Sequence, residues 1–323
     1  MDRYRRGWTT GDIPPQTGRR ALITGANSGI GFHTALELAR KGAEIVMPAR
    51  TQAKAEEAMR RIRKEVPAAK LIPDILDLAD LGSVRAFVER FQERFVSPSL
   101  DLLINNAGVY ALGTRQVTSD GFELQFATNY IGPFALTALL FSSIKRTLGS
   151  RVVTVASIYS KSGKIDFDNL QSEQSYRPVY GAYAMSKLAD LMFGLELQKL
   201  LTMVNSPIAS ICAHPGYSIT NIKNSTPLYI RFLDALPQPF LAQNAAQGAL
   251  PTLFAAAAPT AQAGGFYGPD GFLETKGHPA PAKIPARAQD RAVAQQLWKE
   301  SERLTGVSFP ILSDEGSPMG RVS

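Results

Sequence analysis

"RALITGANSGIGFHTALELARKGAEIVMPAR", residues 20–50, decides the fold. Residues 21–23 are apolar, as expected of a strand that is buried on both faces, and a glycine-rich turn follows at residues 24–31. Apolar residues at helical spacing come next and stop at Gly42, a residue type that commonly ends helices. With a second strand at residues 44–47, the stretch predicts a strand–helix–strand unit whose first junction is the glycine turn.

Strands and helices alternate at similar spacing along most of the remaining chain. This pattern predicts an α/β fold, a Rossmann-type doubly wound parallel sheet, formed by a single domain at residues 20–260. A stretch rich in aromatic residues and proline, about residues 217–245, is the predicted substrate loop. Residues 1–19 are predicted to be an N-terminal arm. Residues 261–323 are predicted to be a loop-rich C-terminal extension with one amphipathic helix, which ends at Gly306.

Cysteine and histidine, the residue types that form disulfides and typical zinc sites, are few in the chain. Cys212 is the only cysteine, which excludes a disulfide framework and a cysteine-based metal site. His33, His214 and His278 are far apart in sequence, and none has the spacing of a zinc motif. We therefore predict no metal site.

The net charge of +7 does not by itself indicate a nucleic-acid-binding protein. The 35 lysines and arginines are spread along the chain rather than gathered in one stripe, so we predict no nucleic-acid partner. The surplus charge has two interpretations, which are solubility and attraction for an anionic ligand. A small molecule is the predicted partner.

The chain shows no obvious membrane signal. The longest apolar run, roughly residues 131–141, is shorter than the ~20 residues that span a bilayer. The first 20 residues lack the apolar core of a signal peptide. We therefore expect no membrane span and a cytoplasmic location. The oligomeric state stays open between a homo-oligomer and a monomer that is capped by the long C-terminal tail.

The glycine turn is a candidate nucleotide site. Gly25, Gly29 and Gly31 permit a tight turn and close approach of the backbone, and the following helix offers free N–H groups to a pyrophosphate. A bare turn is the alternative, but the position between a strand and a helix favours the nucleotide site. Arg50 ends the second strand, where an acidic residue favours NAD and an arginine accommodates a 2′-phosphate. Unless Arg50 is a solvated turn residue, the cofactor is NADP(H).

Six motifs occur in one order along the chain. They are "TGANSGIG" (24–31), "NNAG" (105–108), "TNYIGPF" (128–134), Ser157 after a strand, "YAMSK" (183–187) and "HPG" (214–216). Over about residues 18–260 the chain thereby resembles the short-chain dehydrogenase/reductase superfamily. "PAR", "LDLADLGSVRAF" and the long gap between Ser157 and Tyr183 resemble its retinol-dehydrogenase-like branch most.

The resemblance implies a role for individual residues. The implied cofactor-binding residues are Gly25, Asn27, Ser28, Gly29, Ile30 and Gly31 at the phosphates, Asp77 and Leu78 at the adenine, Asn105, Ala107 and Gly108 at the nicotinamide-side ribose, Pro215, Gly216 and Thr220 at the nicotinamide and its phosphate, and also Tyr183 and Lys187. The implied catalytic tetrad is Asn129, Ser157, Tyr183 and Lys187. In this family the asparagine anchors a water that relays protons to the lysine.

Carbonyl reduction needs a hydride on carbon and a proton on oxygen. Tyr183 can donate the proton, and Lys187, one helical turn later on the same face, favours the phenolate form of the tyrosine. Ser157, at the carboxyl end of a parallel strand, can hold the carbonyl oxygen. Together with Tyr217, Ser157 and Tyr183 are the predicted substrate-binding residues.

These residues predict an NADPH-dependent oxidoreductase that reduces a hydrophobic ketone or aldehyde to the alcohol. Two alternatives stay open. The same site could oxidise a hydrophobic secondary alcohol, since cofactor preference and equilibrium set the direction. A non-catalytic NADP-binding sensor is the second alternative, although such a protein would be expected to lack the tyrosine–lysine pair.

Overall fold

An eight-stranded sheet forms the centre of the computed structural model, which describes residues 7–217 and 243–309. The strands are β1 Arg20–Ile23, β2 Glu44–Ala49, β3 Lys70–Ile75, β4 Leu102–Asn105, β5 Arg151–Val155, β6 Ala209–Ala213, β7 Phe266–Pro269 and β8 Pro279–Pro281. The longer helices are α1 Gly29–Arg40, α2 Gln52–Glu65, α3 Leu81–Arg94, α4 Leu124–Ser143, α5 Ala184–Met203, α6 Leu250–Ala257 and α7 Arg291–Thr305.

The strand order is β3-β2-β1-β4-β5-β6-β7-β8. Strands β1 to β7 pair in parallel, and β8 pairs antiparallel to β7. Every residue of β4 and of β5 is buried, because helices cover both faces of the sheet. The predicted doubly wound Rossmann-type fold is confirmed.

Polar residues start several of the helices. Thr51 accepts a hydrogen bond from the Lys54 backbone N–H at 3.4 Å and caps α2. Asp80 caps α3 in the same way through Ser83, and Asp290 caps α7. These side chains satisfy amide groups that the first helical turn leaves unpaired, so the local sequence fixes where the crossover helices begin.

The predicted C-terminal extension belongs to the same core as the rest of the chain. Trp298 on α7 packs against Phe134 and Phe193, with ring centroids 5.3 and 5.7 Å apart, and against Phe309 at 4.6 Å. Phe134 lies on α4 and Phe193 on α5, so α7 seals one face of the sheet. The described part of the extension, residues 261–309, therefore packs against the rest of the domain.

Two features differ from the sequence-based expectation. Strands β7 and β8 lie in a segment predicted to be mostly loop, because their glycines and prolines give no strand periodicity; β8 is the sheet's edge, where proline is tolerated. The predicted N-terminal arm is anchored, since Ile13 is buried and the Trp8 ring lies 5.4 Å from that of Phe254.

The strand order reverses between β1 and β4, which are neighbours in the sheet. The carboxyl ends of β1, β4 and β5 therefore lie side by side at one edge of the sheet, and the helices that follow β1 and β4 pack on opposite faces. In open parallel sheets this is where ligands bind. The glycine turn, the "NNAG" segment and Ser157 all follow these three strand ends.

Candidate active site

The glycine turn connects β1 to α1 in a conformation that needs glycine. Gly25 and Gly29 have φ angles of +69° and +56°, which glycine adopts without strain. A Cβ atom on Gly31 would lie 2.4 Å from the Gly25 carbonyl oxygen and 2.4 Å from Asn106 Nδ2. Ser28 makes no side-chain cap for α1. The turn is therefore tight, and no Ser28 side-chain cap occupies the first backbone N–H groups of α1, which can donate hydrogen bonds to an anion.

Thr24 and Asn106 tie the glycine turn to the end of β4. Thr24 Oγ1 accepts hydrogen bonds from the backbone N–H groups of Asn106 and Ala107, both at 3.0 Å. Asn106 Nδ2 donates to the Thr24 carbonyl oxygen at 2.9 Å. The sequence analysis gave neither residue a role, although each lies within a motif that it quoted, Thr24 in "TGANSGIG" and Asn106 in "NNAG".

The Asn105 side chain is not among the described residues that line the cavity, and its predicted contact with the ribose stays a prediction. Its side chain is buried and donates from Nδ2 to Thr137 Oγ1 at 2.9 Å. Asn106 lines the cavity next to the turn instead. The reason is the strand geometry of β4, in which successive side chains point to opposite faces.

A cavity of about 700 Å³ lies along this edge of the sheet. The predicted cofactor residues that line it are Gly25, Asn27, Ser28, Gly29, Ile30, Gly31, Arg50, Asp77, Leu78, Ala107 and Gly108. It runs from the glycine turn to the ends of β2 and β3 in one direction and to Val109 and Tyr110 in the other. Eleven predicted residues from separate chain segments are thus brought to one cavity.

Two cations line the end of the cavity that lies beyond β2. Arg50 follows β2 directly, and Lys54 lies in the first turn of α2. Both side chains are exposed. The lining carboxylate is Asp77, whose Oδ1 accepts a hydrogen bond from the Ala79 N–H at 3.0 Å. Sequence reasoning named Arg50 but missed Lys54, which follows it by four positions across a helix start.

Lys187 projects from α5 into a buried position at the end of β5. Its Nζ donates to the Val155 carbonyl oxygen at 3.0 Å and to Asp190 Oδ2 at 2.8 Å. Burial lowers the pKa of Lys187, but Asp190 and Tyr183 outweigh burial, and the pKa is raised above its ordinary value. Lys187 is therefore a cation at neutral pH.

Asp190 is a residue that sequence reasoning missed. It is buried, and burial raises the pKa of Asp190 to about 6, while Lys187 acts to lower it. The available signal was its position, since an acidic residue within the apolar run "LADLMFGL" three positions after Lys187 needs a partner.

Asn129 lies in the π-helical turn Ala127–Ile131 of α4, a distortion that is frequent at functional sites. Asn129 Oδ1 accepts from the Val109 N–H at 2.7 Å, and Nδ2 donates to the Val109 carbonyl oxygen and to Ser186 Oγ. A Cβ atom on Gly108 would lie 3.3 Å from both Asn129 Oδ1 and Lys187 Nζ. Asn129 and Lys187 therefore converge on Gly108, which lines the cavity. The predicted water relay stays a prediction.

Tyrosine rings surround Tyr183. The ring of Tyr110 is 4.8 Å from that of Tyr183 and nearly perpendicular to it, and the ring of Tyr159 is 5.7 Å away. Tyr180 packs on Tyr159 at 5.9 Å. Ser157 follows β5 in the same region, and its Oγ accepts from the Tyr159 N–H at 3.3 Å. This tyrosine cluster (Tyr110, Tyr159, Tyr180 and Tyr183) connects the cavity, through Tyr110, to the predicted proton donor.

The "HPG" turn follows β6. Gly216 has a φ of +63°, and a Cβ atom there would lie 2.3 Å from the Thr275 carbonyl oxygen. His214 is buried, with Nε2 2.9 Å from Glu274 Oε2, and its Nδ1 accepts from the Gly216 N–H. His214 therefore braces the turn that contains Pro215. The Tyr217 N–H donates to the Thr275 carbonyl oxygen at 2.8 Å.

Part of the predicted substrate region lies outside the described residues. Thr220 and most of the predicted substrate loop at 217–245 belong to that part of the chain. Neither Pro215 nor Gly216 is among the described residues that line the cavity. Their predicted contact with the nicotinamide, and the predicted substrate contact of Tyr217, stay predictions.

Helix α4 is more apolar than the sequence analysis predicted. It covers 20 residues, Leu124–Ser143, and by length and composition it is long enough to cross a membrane. The apolar run predicted from the sequence, residues 131–141, is shorter because it leaves out the first two turns of this helix. Within the protein, 83% of the apolar window is buried, as in a core helix that packs between a sheet and its neighbours.

Known proteins resemble this chain over almost its whole length. The family model for the short chain dehydrogenases matches residues 19–228. Human retinol dehydrogenase 14 is 37% identical over 95% of this chain and 91% of its own. Mouse polyprenol dehydrogenase is 38% identical over 91% of this chain and 86% of its own. A crystal structure of an uncharacterised protein from Mycobacterium paratuberculosis has a TM-score of 0.77 and 38% identity, and covers 94% of this chain and 99% of its own.

These relatives correct one expectation and confirm another. The prediction of a cytoplasmic location is wrong by this comparison, because the relatives are named for retinol and polyprenol, alcohols that dissolve in lipid rather than in water. The resemblance to the retinol-dehydrogenase-like branch is confirmed. The chain therefore belongs to the short-chain dehydrogenase family of oxidoreductases, which bind a nicotinamide cofactor, and within that family to the retinol-dehydrogenase-like branch.

Proposed function

We propose that this oxidoreductase uses NADPH to reduce a hydrophobic aldehyde or ketone to its alcohol, with Tyr183 as the proton donor. The observation that carries the proposal is the position of the Lys187 ammonium. It is buried, it interacts with Tyr183, and it lies against Gly108 at the edge of the cavity. A cation held between a phenol and a nucleotide cavity suits proton transfer to a reacting oxygen.

The residues at the cavity fit a phosphorylated dinucleotide. The glycine turn and the first amides of α1 would hold the pyrophosphate. Asp77 and Leu78 would lie at the adenine. Arg50 and Lys54 would hold a 2′-phosphate, since a guanidinium and an ammonium supply strong charge-assisted hydrogen bonds to phosphate oxygens. These two cations support NADP(H) rather than NAD(H) in the proposal.

The chain's own residues hold the substrate oxygen and move the proton. Ser157 and Tyr183 would both bond the carbonyl oxygen, and Tyr183 would donate its proton as the alcohol forms. The Lys187 ammonium would stabilise the phenolate that remains. Asn129 holds the Gly108–Val109 segment in place beside Lys187. The cofactor, when bound, supplies the hydride.

The substrate in the proposal is bulky and apolar. The tyrosine cluster offers aromatic walls next to the proton donor. The names of the relatives, retinol and polyprenol dehydrogenase, support an isoprenoid or similarly apolar alcohol and its carbonyl form as the pair that is interconverted.

Oxidation of such an alcohol is the second candidate, because the same relatives are named as dehydrogenases. One experiment separates the two directions. The purified protein is given NADPH with a panel of hydrophobic aldehydes and ketones, or NADP⁺ with the matching alcohols, and the cofactor absorbance is followed. We expect the higher kcat/KM for the carbonyl compounds. A higher value for the alcohols at neutral pH would favour the second candidate.

The cofactor choice has its own test in Arg50→Asp. We expect this change to lower kcat/KM with NADPH roughly 100-fold, since it removes a charge-assisted bond and adds a repulsive charge beside the 2′-phosphate. The value with NADH should change by less than about threefold, because NADH lacks that phosphate. Lys54→Ala should also lower kcat/KM with NADPH more than with NADH, but by a smaller factor than Arg50→Asp does.

The control is Arg60→Asp, which makes the same charge change on α2. Arg60 is exposed, pairs with Glu57 and does not line the cavity. It should leave the use of both cofactors unchanged. The assignment to NADP(H) is contradicted if the wild-type protein uses NADH more efficiently than NADPH, or if Arg50→Asp weakens both cofactors equally.

A further inference from the structure

Lys187 and Asp190 form a buried ion pair beside the proposed proton donor. Lys187 is 4% exposed and Asp190 is 2% exposed. The two are three residues apart on α5, and Nζ lies 2.8 Å from Oδ2. A buried charge is costly unless it is paired. The pair is therefore the arrangement that allows a lysine cation to exist in this part of the core.

The pair also fixes the direction of the ammonium. An ammonium has three N–H donors. Two of them bond the Val155 carbonyl oxygen and Asp190 Oδ2. The remaining donor is left for the side on which Gly108 lies, where a Cβ atom on that glycine would be 3.3 Å from Nζ, and Gly108 borders the cavity. Asp190 thus holds Nζ between the end of β5 and the cavity.

The other ionisable groups that face Asp190 are neutral. On α4, Tyr130 is buried and bonds Ser301 Oγ at 2.7 Å; burial and then Asp190 raise its pKa. On β6, Cys212 is buried, and burial and then Asp190 raise the pKa of its thiol. Among the residues that the structure describes, Lys187 is the one cation within ion-pair distance of Asp190. Any change in the Asp190 charge therefore acts mainly on Lys187 and, through it, on Tyr183.

We propose that Asp190 is a positioning residue for the reaction: its carboxylate holds the Lys187 ammonium in place and keeps it charged at alkaline pH. This inference rests on the proposed function, in which Lys187 serves both Tyr183 and the cofactor. Without the carboxylate, burial would act on Lys187 with only Tyr183 opposing it, and the lysine would lose its proton at lower pH. A neutral Lys187 could no longer stabilise the phenolate that Tyr183 becomes when it donates its proton, so carbonyl reduction would fail at lower pH.

The test is Asp190→Asn, which keeps the size and an acceptor oxygen but removes the charge. We expect the alkaline limb of the kcat/KM profile for carbonyl reduction to move down by about one pH unit or more. The pH at which NADPH affinity weakens, measured by quenching of protein fluorescence, should move in the same direction. Asp190→Glu, which restores the carboxylate, should return both limbs most of the way to the wild-type positions.

The matched control is Glu196→Gln on the same helix. Glu196 is buried and pairs with Lys199 three positions later at 2.8 Å. Both substitutions remove one i,i+3 lysine–carboxylate pair from α5, but Glu196 lies six residues beyond Asp190 and is not among the described residues that line the cavity. Glu196→Gln should leave both alkaline limbs where they are. An Asp190→Asn protein that melts at a lower temperature with unmoved limbs would overturn the inference, since a packing role alone predicts that result.

The wild-type protein tests the inference if Asp190→Asn does not fold. NADPH affinity in the wild type should stay constant up to a pH of about 9, because Lys187 stays charged through that range. Weakening with a midpoint clearly below 9 would overturn the role of Asp190. A protein that binds NADPH in this way but reduces no carbonyl compound would contradict the proposed function and leave the inference on Asp190 standing.

Discussion

Tyr183→Phe is expected to lower the turnover of carbonyl reduction by about 1000-fold. The substitution removes one oxygen atom and leaves the ring, so its contacts with Tyr110 and Tyr159 persist. The reacting oxygen then has no phenol from which to take a proton. NADPH affinity should change by less than about fivefold, because the glycine turn and the two cations are untouched. Steady-state turnover and fluorescence titration of NADPH measure the two quantities.

Tyr176→Phe is the matched control. It removes the same atom from a partly buried tyrosine outside the tyrosine cluster, whose hydroxyl accepts a long hydrogen bond of 3.4 Å from Gln125 Nε2. Its turnover should stay within about threefold of wild type. If Tyr183→Phe retained more than a tenth of wild-type turnover, the assignment of Tyr183 as proton donor would be wrong.

Gly31→Ala is expected to abolish tight NADPH binding, with a loss of about 100-fold or more in affinity. The new Cβ would lie 2.4 Å from the Gly25 carbonyl oxygen and from Asn106 Nδ2. The Gly25 carbonyl oxygen is a backbone atom, so it can move away from the new Cβ only if the whole turn moves. That movement would displace the amides proposed to hold the pyrophosphate. We also expect a loss of stability of about 1–3 kcal/mol, as for other overpacked sites.

Gly82→Ala in α3 provides the comparison for Gly31→Ala. Its nearest neighbour would be the side-chain oxygen of Asp80 at 3.1 Å, and glycine inside a helix is itself unfavourable. It should therefore bind NADPH as wild type does. Thermal melting with and without NADPH distinguishes lost binding from lost folding. A folded Gly31→Ala protein with wild-type NADPH affinity would contradict the proposal that the glycine turn binds the cofactor phosphates.

The sequence predicted the parts of this fold that depend on local patterns. The glycine turn, the first helix and its end at Gly42 were predicted correctly, because each follows from residue types over a few positions. The strands β7 and β8 were missed because glycine and proline make them look like loop; they are strands only because β6 and β7 offer them partners. Such tertiary pairing leaves no periodic signal in the sequence.

The same contrast between local motifs and tertiary contacts applies to the residues of the candidate site. Gly108 and the tyrosine–lysine pair were predicted from motifs and Arg50 from the end of the second strand, and the structure places Arg50 and Gly108 at the cavity. The motif that contains Asn105 did not predict that its side chain would be buried against Thr137, because a motif does not fix the direction in which a strand residue points. Lys54, Tyr110 and Asp190 were missed because their importance depends on what folding brings near them: a cavity, a tyrosine ring and a buried ammonium.

The most direct test of the central claim is cofactor consumption by three proteins under the same conditions. Wild type, Tyr183→Phe and Lys187→Met are mixed with NADPH and a panel of apolar aldehydes and ketones that includes retinal, after NADPH binding has been verified for each. We expect the wild type to consume NADPH with at least one of these carbonyl compounds and both variants to be nearly inactive. A wild-type protein that binds NADPH and reduces nothing, or a Tyr183→Phe protein as active as the wild type, would contradict the account.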